Sequence, residues 1–240
     1  MPDQDIDIIQ QQIAYYRERA GEYDEWFLRQ GRYDHGEALN RAWFQEVAQV
    51  ERALERFAPA GEVLELACGT GLWTQRLLRY TDRITAVDAS AEVIELSQRR
   101  LRVANDGSLA RVRYLQANLF DWQPVAAYDV VFFSFWLSHV PSSRFEPFWE
   151  LVKKSLKPGG RVFFIDSKYE PTSTARDHHL PDRQEETSLR RLNDGREYRI
   201  VKHFYEPEKL ENRLSQAGWR VRVEETPAYF IYGYGDFGGG

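Results

Sequence analysis

Val63-Leu64-Glu65-Leu66-Ala67-Cys68-Gly69-Thr70-Gly71, followed by Ala86-Val87-Asp88, decides how this chain folds. An apolar run of strand length ends in a glycine-containing turn. There the missing Cβ lets the backbone approach a ligand and aims the next helix N-terminus at it. Asp88 closes the following apolar run, 17 residues after Gly71. An acidic residue so placed can take two vicinal ribose hydroxyls. The two stretches predict a strand–helix–strand unit that binds a nucleotide-type ligand.

Working outward, the same alternation continues. Leu39, Trp43, Val47, Val50, Leu54 and Phe57 recur at steps of three and four, the apolar stripe of one long helix that Pro59 and Gly61 end. Strand-length runs are expected at 62–67, 84–87, 112–115, 129–134 and 161–166. Helices are expected at 72–79, from an N-cap at Ser90 to about 103, and at 145–156. Lys157-Pro158-Gly159-Gly160 reads as a turn. In the last third, Asn193-Asp194-Gly195 between 188–192 and 196–204 signals a hairpin. Pro207 opens a helix that Gly218 closes, and strands at 219–223 and 229–232 finish the chain. The fold class is α/β: a doubly wound, Rossmann-like, seven-stranded sheet, parallel with an antiparallel C-terminal strand, and helices on both faces. The expected division is one domain over 1–240, with a helical lid at 1–58 and a ligand-binding core at 59–166. A substrate-side excursion with the hairpin comes next at 167–205, then a C-terminal helix and strands at 206–240.

Composition narrows the function. Lys+Arg 32 against Asp+Glu 37 gives a net charge of −5, which argues against a nucleic-acid backbone as partner. No run approaches the roughly 18 apolar residues of a membrane span, and the acidic N-terminus lacks a secretory pattern. A cytoplasmic location is expected. Cys68 is the only cysteine, so an internal disulfide and a cysteine-based zinc site are ruled out, and no metal is expected.

Two ligand readings compete for the glycine turn. A dinucleotide fingerprint wants a small residue where this chain has Thr74, with Trp73 before it. Glu65 would also repel a pyrophosphate at short range. A carboxylate there suits a ligand with a positive amino group. S-adenosylmethionine carries both a ribose and such a group.

With these residues the chain resembles the class I S-adenosylmethionine-dependent methyltransferases over about 63–166. Glu65-Leu-Ala-Cys-Gly-Thr-Gly71 is similar to that family's glycine motif, with Ala67 in place of its first glycine. Asp88 matches the ribose-binding acid, and Asn118 stands where the family often has an adenine-binding Asp. Residues 129–140 resemble the fourth-strand motif, and 156–160 the turn before the fifth strand. The resemblance implies donor binding by Glu65, Ala67, Cys68, Gly69, Gly71, Trp73, Asp88, Ala89, Asn118, Leu119, Phe120 and Ser134, with Tyr23 over them. S-adenosylhomocysteine is the implied product.

The aromatic content, 14%, is high. The N-terminal cluster Tyr15, Tyr16, Tyr23, Trp26, Phe27 and Tyr33 reads either as a lid over a flat organic acceptor or as packing on the sheet edge. Tyr15, Tyr16, Trp26, Trp136, Ser138 and Tyr169 are the candidate acceptor pocket. His139 alone of the five histidines lies in a crevice motif, which makes it the candidate general base. His178 and His179 sit in a polar linker and are expected to be solvated. The activity implied is methyl transfer to an O or N atom of a small aromatic or hydrophobic acceptor. A methyltransferase acting on RNA or protein, an NAD(P)-dependent oxidoreductase and a non-catalytic binder of the methyl donor stay open.

Overall fold

The computed structural model describes residues 2–124, 127–178, 180–182 and 185–238, with side chains from residue 6; His179 lies outside them. The chain opens with α1 (Pro2–Glu18), the short α2 (Tyr23–Phe27) and the long α3 (Glu37–Phe57). The alternating part runs β1 (Glu62–Leu66), α4 (Leu72–Leu77), β2 (Arg83–Asp88), α5 (Ala91–Ala104) and β3 (Val112–Gln116). It continues through β4 (Tyr128–Ser134), α6 (Phe145–Ser155) and β5 (Leu156–Ser167). The hairpin β6 (Thr187–Arg191) and β7 (Glu197–Val201) is next, then α7 (Pro207–Gln216), β8 (Trp219–Glu225) and β9 (Phe230–Phe237).

Seven strands form one sheet in the order β3-β2-β1-β4-β5-β9-β8, with β9 antiparallel to both its neighbours. The expected α/β sheet with a reversed C-terminal strand is what the chain builds. Alternation explains its two cores. Val63, Phe132 and Phe163 point to one face, where α3 and α4 cover them. Leu64, Phe133 and Phe164 point to the other, under α6 and α7. Central strands buried on both faces read as unbroken apolar runs, which is why EVLEL and DVVFFS were legible as strands.

Three boundaries differ from expectation. Lys157 to Gly160 belong to an irregular start of β5, where the register shifts between Tyr128 and Val130 of β4 and Gly159 turns at φ +76°. β9 continues to Phe237 through Gly233 and Gly235, residues that weaken any strand pattern. A Cβ at Gly235 would stand 2.0 Å from the Arg220 carbonyl oxygen, so β8 itself requires glycine there. The hairpin's second strand ends at Val201, because His203 donates its N–H to the Ser138 carbonyl (2.8 Å) and bends the chain toward β4.

Among the described residues the two hairpin strands pair with each other alone, and the hairpin packs on α1. Gln12 of α1 clamps it: its amide nitrogen donates to the His139 carbonyl (3.0 Å) and its oxygen accepts the Val201 N–H (3.1 Å). α2 is held to the glycine turn by Asp24, which accepts from the Thr70 hydroxyl and pairs with Arg100 of α5. Arg29 and the Trp26 indole donate to the carbonyls of Thr172 and Ser173 (2.6 and 2.7 Å), drawing the 171–174 turn under the same cover.

Candidate active site

Strand order reverses between β1 and β4, and doubly wound sheets open their crevice at such a point. The residues leaving these two strands, Ala67 and Phe135, both have positive φ (52° and 54°). Such backbone is costly for a residue with a Cβ and clusters at binding sites. A pocket of about 660 Å³ lies above them. Its walls come from β1 and β2 with their loops (Ala67, Gly69, Asp88, Ala89, Ser90), from β4 and the loop after it (Ser134 to Trp136, His139), from Asn118 and Leu119, and from α1 (Gln12, Ile13, Tyr16).

Asp88 is fixed at both oxygens: Oδ2 accepts the Gly69 N–H (2.9 Å) and Oδ1 the Ser90 N–H (3.0 Å). Burial raises its pKa above the usual value, and these main-chain bonds oppose that. Each oxygen keeps a further lone pair for a hydroxyl. Asn118 closes its own loop, accepting from the Phe120 N–H (3.1 Å) and donating to Asp121 (2.7 Å). The Trp136 indole N–H is buried with no partner among the described residues. Gly71 answers a close approach: a Cβ there would stand 2.2 Å from Ser97 Oγ of α5. A carboxylate with free lone pairs, apolar flanks at Leu119 and Val93, and an unused indole donor suit a ribose with a flat, polar-edged ring.

A second chamber of about 600 Å³ adjoins the first, and Tyr16, Tyr23, Phe135 and His139 line both. Tyr15, Trp26, Tyr33, Phe204, Arg19, Arg190 and Lys202 complete most of its wall. His139 stands at the junction. A carbonyl only accepts, so the 2.7 Å contact of Nδ1 with the Val201 oxygen places the ring proton on Nδ1. Nε2 then accepts from the Tyr16 hydroxyl at 2.8 Å. Burial first, then the Lys202 charge, hold the ring well below the usual histidine pKa, so it is neutral.

The expected donor residues separate into two groups. Ala67, Gly69, Asp88, Ala89, Asn118, Leu119, Ser134 and Tyr23 meet on the first pocket. Glu65 does not line it: its carboxyl is buried and accepts from the Thr74 hydroxyl (2.6 Å). The Cys68 thiol is buried and its pKa pushed well up, Trp73 packs in the core against Phe27 and Phe132, and Phe120 lies behind Trp136. Of the expected acceptor residues, Tyr15, Tyr16 and Trp26 line the second chamber, while Trp136 faces the first pocket. Ser138 is fully buried and donates its N–H to Asp166 (2.8 Å), and the Tyr169 hydroxyl donates to the Pro181 carbonyl. His178, expected in solvent, lines the second chamber, and burial pushes its pKa down to about 4.

Sequence reasoning missed Gln12, Arg19, Arg190 and Lys202. The α1 residues had a signal: Gln12, Tyr15, Tyr16 and Arg19 repeat at three and four and share a helix face. Arg190 and Lys202 had none, because nothing local says which face of the hairpin turns inward. Among the described residues no group of three or more His, Cys, Asp or Glu is placed to hold a metal, and no helix is long and apolar enough to cross a membrane.

Residues 63–160 match a family model described as a methyltransferase domain. The solved structures titled DhpI–SAH complex and DhpI–SAM–HEP complex are 39% and 40% identical to this chain. They cover 95% of it, 95% and 96% of that protein, at TM-scores of 0.74 and 0.75. Among curated relatives, the malonyl-[acyl-carrier protein] O-methyltransferase of Paenibacillus sp. is 29% identical over 56% of this chain, which spans about half (49%) of that relative's length. The ubiquinone biosynthesis O-methyltransferase of Xanthomonas axonopodis is 27% identical over 72% of this chain and 69% of that protein. The chain belongs to the class I S-adenosylmethionine-dependent methyltransferases, enzymes whose methyl donor is S-adenosylmethionine and whose second product is S-adenosylhomocysteine.

Proposed function

We propose that this enzyme methylates an oxygen atom of a small molecule held in the second chamber. The observation that carries the reading is the shared wall. Tyr16, Tyr23, Phe135 and His139 border both spaces, so a group in one lies against a group in the other. The chamber's size and its cover of α1 and the hairpin suit a small molecule rather than a protein or RNA segment. Two relatives carry O-methyltransferase in their names, and a similar structure holds SAM together with a further component, HEP, which supports the same arrangement.

In this reading Asp88 holds the ribose hydroxyls, Leu119 and Trp136 flank the adenine, and Asn118 meets its edge. The donor, when bound, would supply a methyl on sulfonium, which an acceptor already present as its oxyanion would take as the carbon–sulfur pair leaves on sulfur, with no proton left over. The protein's part is alignment and exclusion of water. Tyr15, Tyr23 and Trp26 line the chamber and offer faces to an apolar portion of the acceptor. Oxygen is favoured over nitrogen because Arg19, Arg190 and Lys202 repel a protonated amine. With its lone pair engaged by Tyr16, His139 positions that hydroxyl between the two spaces.

Incubation with S-adenosylmethionine and a panel of small hydroxyl, carboxyl and phosphoryl compounds should give S-adenosylhomocysteine and a product 14 Da heavier, by mass spectrometry. Methylation of added RNA or protein, with none of any small compound, would overturn the reading. Asp88→Ala should weaken S-adenosylhomocysteine binding by about 1.5–3 kcal/mol, the scale of hydrogen bonds to a charged group. Calorimetry reads it directly, and an unchanged affinity would remove Asp88 from the ribose site.

A further inference from the structure

The second chamber has an unusual charge balance. Arg19, Arg190 and Lys202 line it, and they are only 8, 8 and 7% exposed. No carboxylate among the described residues lines it. Arg19 lies over the rings of Tyr15, Tyr23 and Tyr33 at 5.3–5.7 Å and donates to the Tyr33 hydroxyl (3.1 Å), with Nε unpartnered. Arg190 Nη1 is buried and unpartnered. Lys202 donates to Ser138 Oγ (2.9 Å) and stands 3.8 Å from Asp166. That carboxylate already takes the N–H groups of Ser138 and Ser167. Burial keeps Tyr15, Tyr16 and Tyr23 protonated by raising their pKa values, and His178 is neutral above about 4.

Three cations thus face one carboxylate, leaving two positive charges uncompensated. Burying an unpaired charge costs several kcal/mol, so such a pair is a poor structural device and a good seat for an anion. A carboxylate would balance half of it. A phosphoryl group, carrying close to two negative charges at neutral pH and three acceptor oxygens, balances all of it. We propose that the acceptor carries a phosphoryl dianion seated on Arg19, Arg190 and Lys202. The assignment rests on the small-acceptor reading above and names its class.

The test titrates the S-adenosylhomocysteine-saturated protein, in phosphate-free buffer at pH 7.5, with phenyl phosphate, phenylphosphonate, benzoate and phenol by calorimetry. At least one of the two phosphoryl probes should bind ten times more tightly than benzoate. Which one wins distinguishes an ester from a carbon-linked group. Arg190→Gln should weaken that probe tenfold or more, keep S-adenosylhomocysteine affinity within twofold, and recover partly as Arg190→Lys. The ligand-free variant should unfold at or above the wild-type temperature, because an uncompensated cation has been removed; a structural ion pair would do the opposite. Lys202→Met gives the same binding readout should Arg190→Gln not fold. Equal binding of benzoate or phenol, or wild-type phenyl phosphate affinity in both variants, would overturn the proposal. Absence of methyl transfer to any small compound, with the phosphoryl preference intact, would instead count against the small-acceptor reading.

Discussion

Trp43→Ala should cost the fold about 3–5 kcal/mol, the range for truncating a fully buried tryptophan. Trp43 has no exposed surface. Its ring meets Trp26, Tyr229 and Phe230 with centroids 4.6–5.2 Å apart, and the Arg29 guanidinium lies over it at 4.6 Å. Its indole nitrogen donates to the Phe27 carbonyl (3.0 Å), which truncation would leave buried without that donor. For a chain of this length the melting temperature should fall by roughly 10 °C. Trp43→Phe keeps a ring and loses the bond, so about 1–2 kcal/mol is expected. Urea unfolding followed by circular dichroism checks both, and a loss below about 1 kcal/mol for the alanine variant would show that the wedge is not needed. The damage should reach function unevenly. Trp26 rests on Trp43 and lines the second chamber, whereas Asp88 and Gly69 are held by β1 and β2.

Ligand-free protein should lose stability as pH rises from 6.5 to 8, and Glu65 should be the main cause. Burial pushes the Glu65 carboxyl up to about 8, Asp88 adds to the shift, and the Thr74 hydroxyl opposes it. In the unfolded chain the group titrates near 4.5. Below that both states hold the proton, and Glu65 contributes no pH dependence. Between 4.5 and 8 only the folded state does, so unfolding releases a proton and each pH unit removes about 1.4 kcal/mol. Above 8 the loss is complete, at roughly 4–5 kcal/mol. The window from 6.5 avoids His139, whose lowered pKa acts with the opposite sign at lower pH. Between pH 6.5 and 8 the wild type should therefore lose about 2 kcal/mol more than Glu65→Gln, by denaturant unfolding at the two values. Parallel loss in both proteins would mean that Glu65 is ionised in the fold.

Much of the fold was legible because its signals are local. EVLEL and DVVFFS are apolar runs of strand length with turn residues after them, and Ser90 caps α5 by accepting the Val93 N–H. The glycine turn and the strand end at Asp88 are local signals too, although Gly71 turns out to answer the approach of Ser97 on α5 and does not line the first pocket. The end of β9 was not legible, since Gly233 and Gly235 are required by Phe164 and by the β8 backbone, both distant in sequence. Glu65 shows the limit on the site side. Its place in the glycine motif suggested contact with the donor, but strand alternation turns its side chain toward Thr74 of α4.

By itself, the sequence determined the parallel sheet, the glycine turn with Asp88, and the class of donor, because strand, turn and helix signals act over a few neighbouring residues. Only the tertiary structure decided what lines the second chamber. Arg19 on a helix, Arg190 on a hairpin strand and Lys202 just past it are separated by up to 183 residues in the chain. Nothing local distinguishes them from ordinary surface cations. They become one uncompensated charge cluster because Gln12 clamps α1 to the hairpin and Asp24 pins α2 to the glycine turn, burying all three beside the first pocket. What sets these three cations apart from solvated surface charges is burial, and burial is a property of the packed chain.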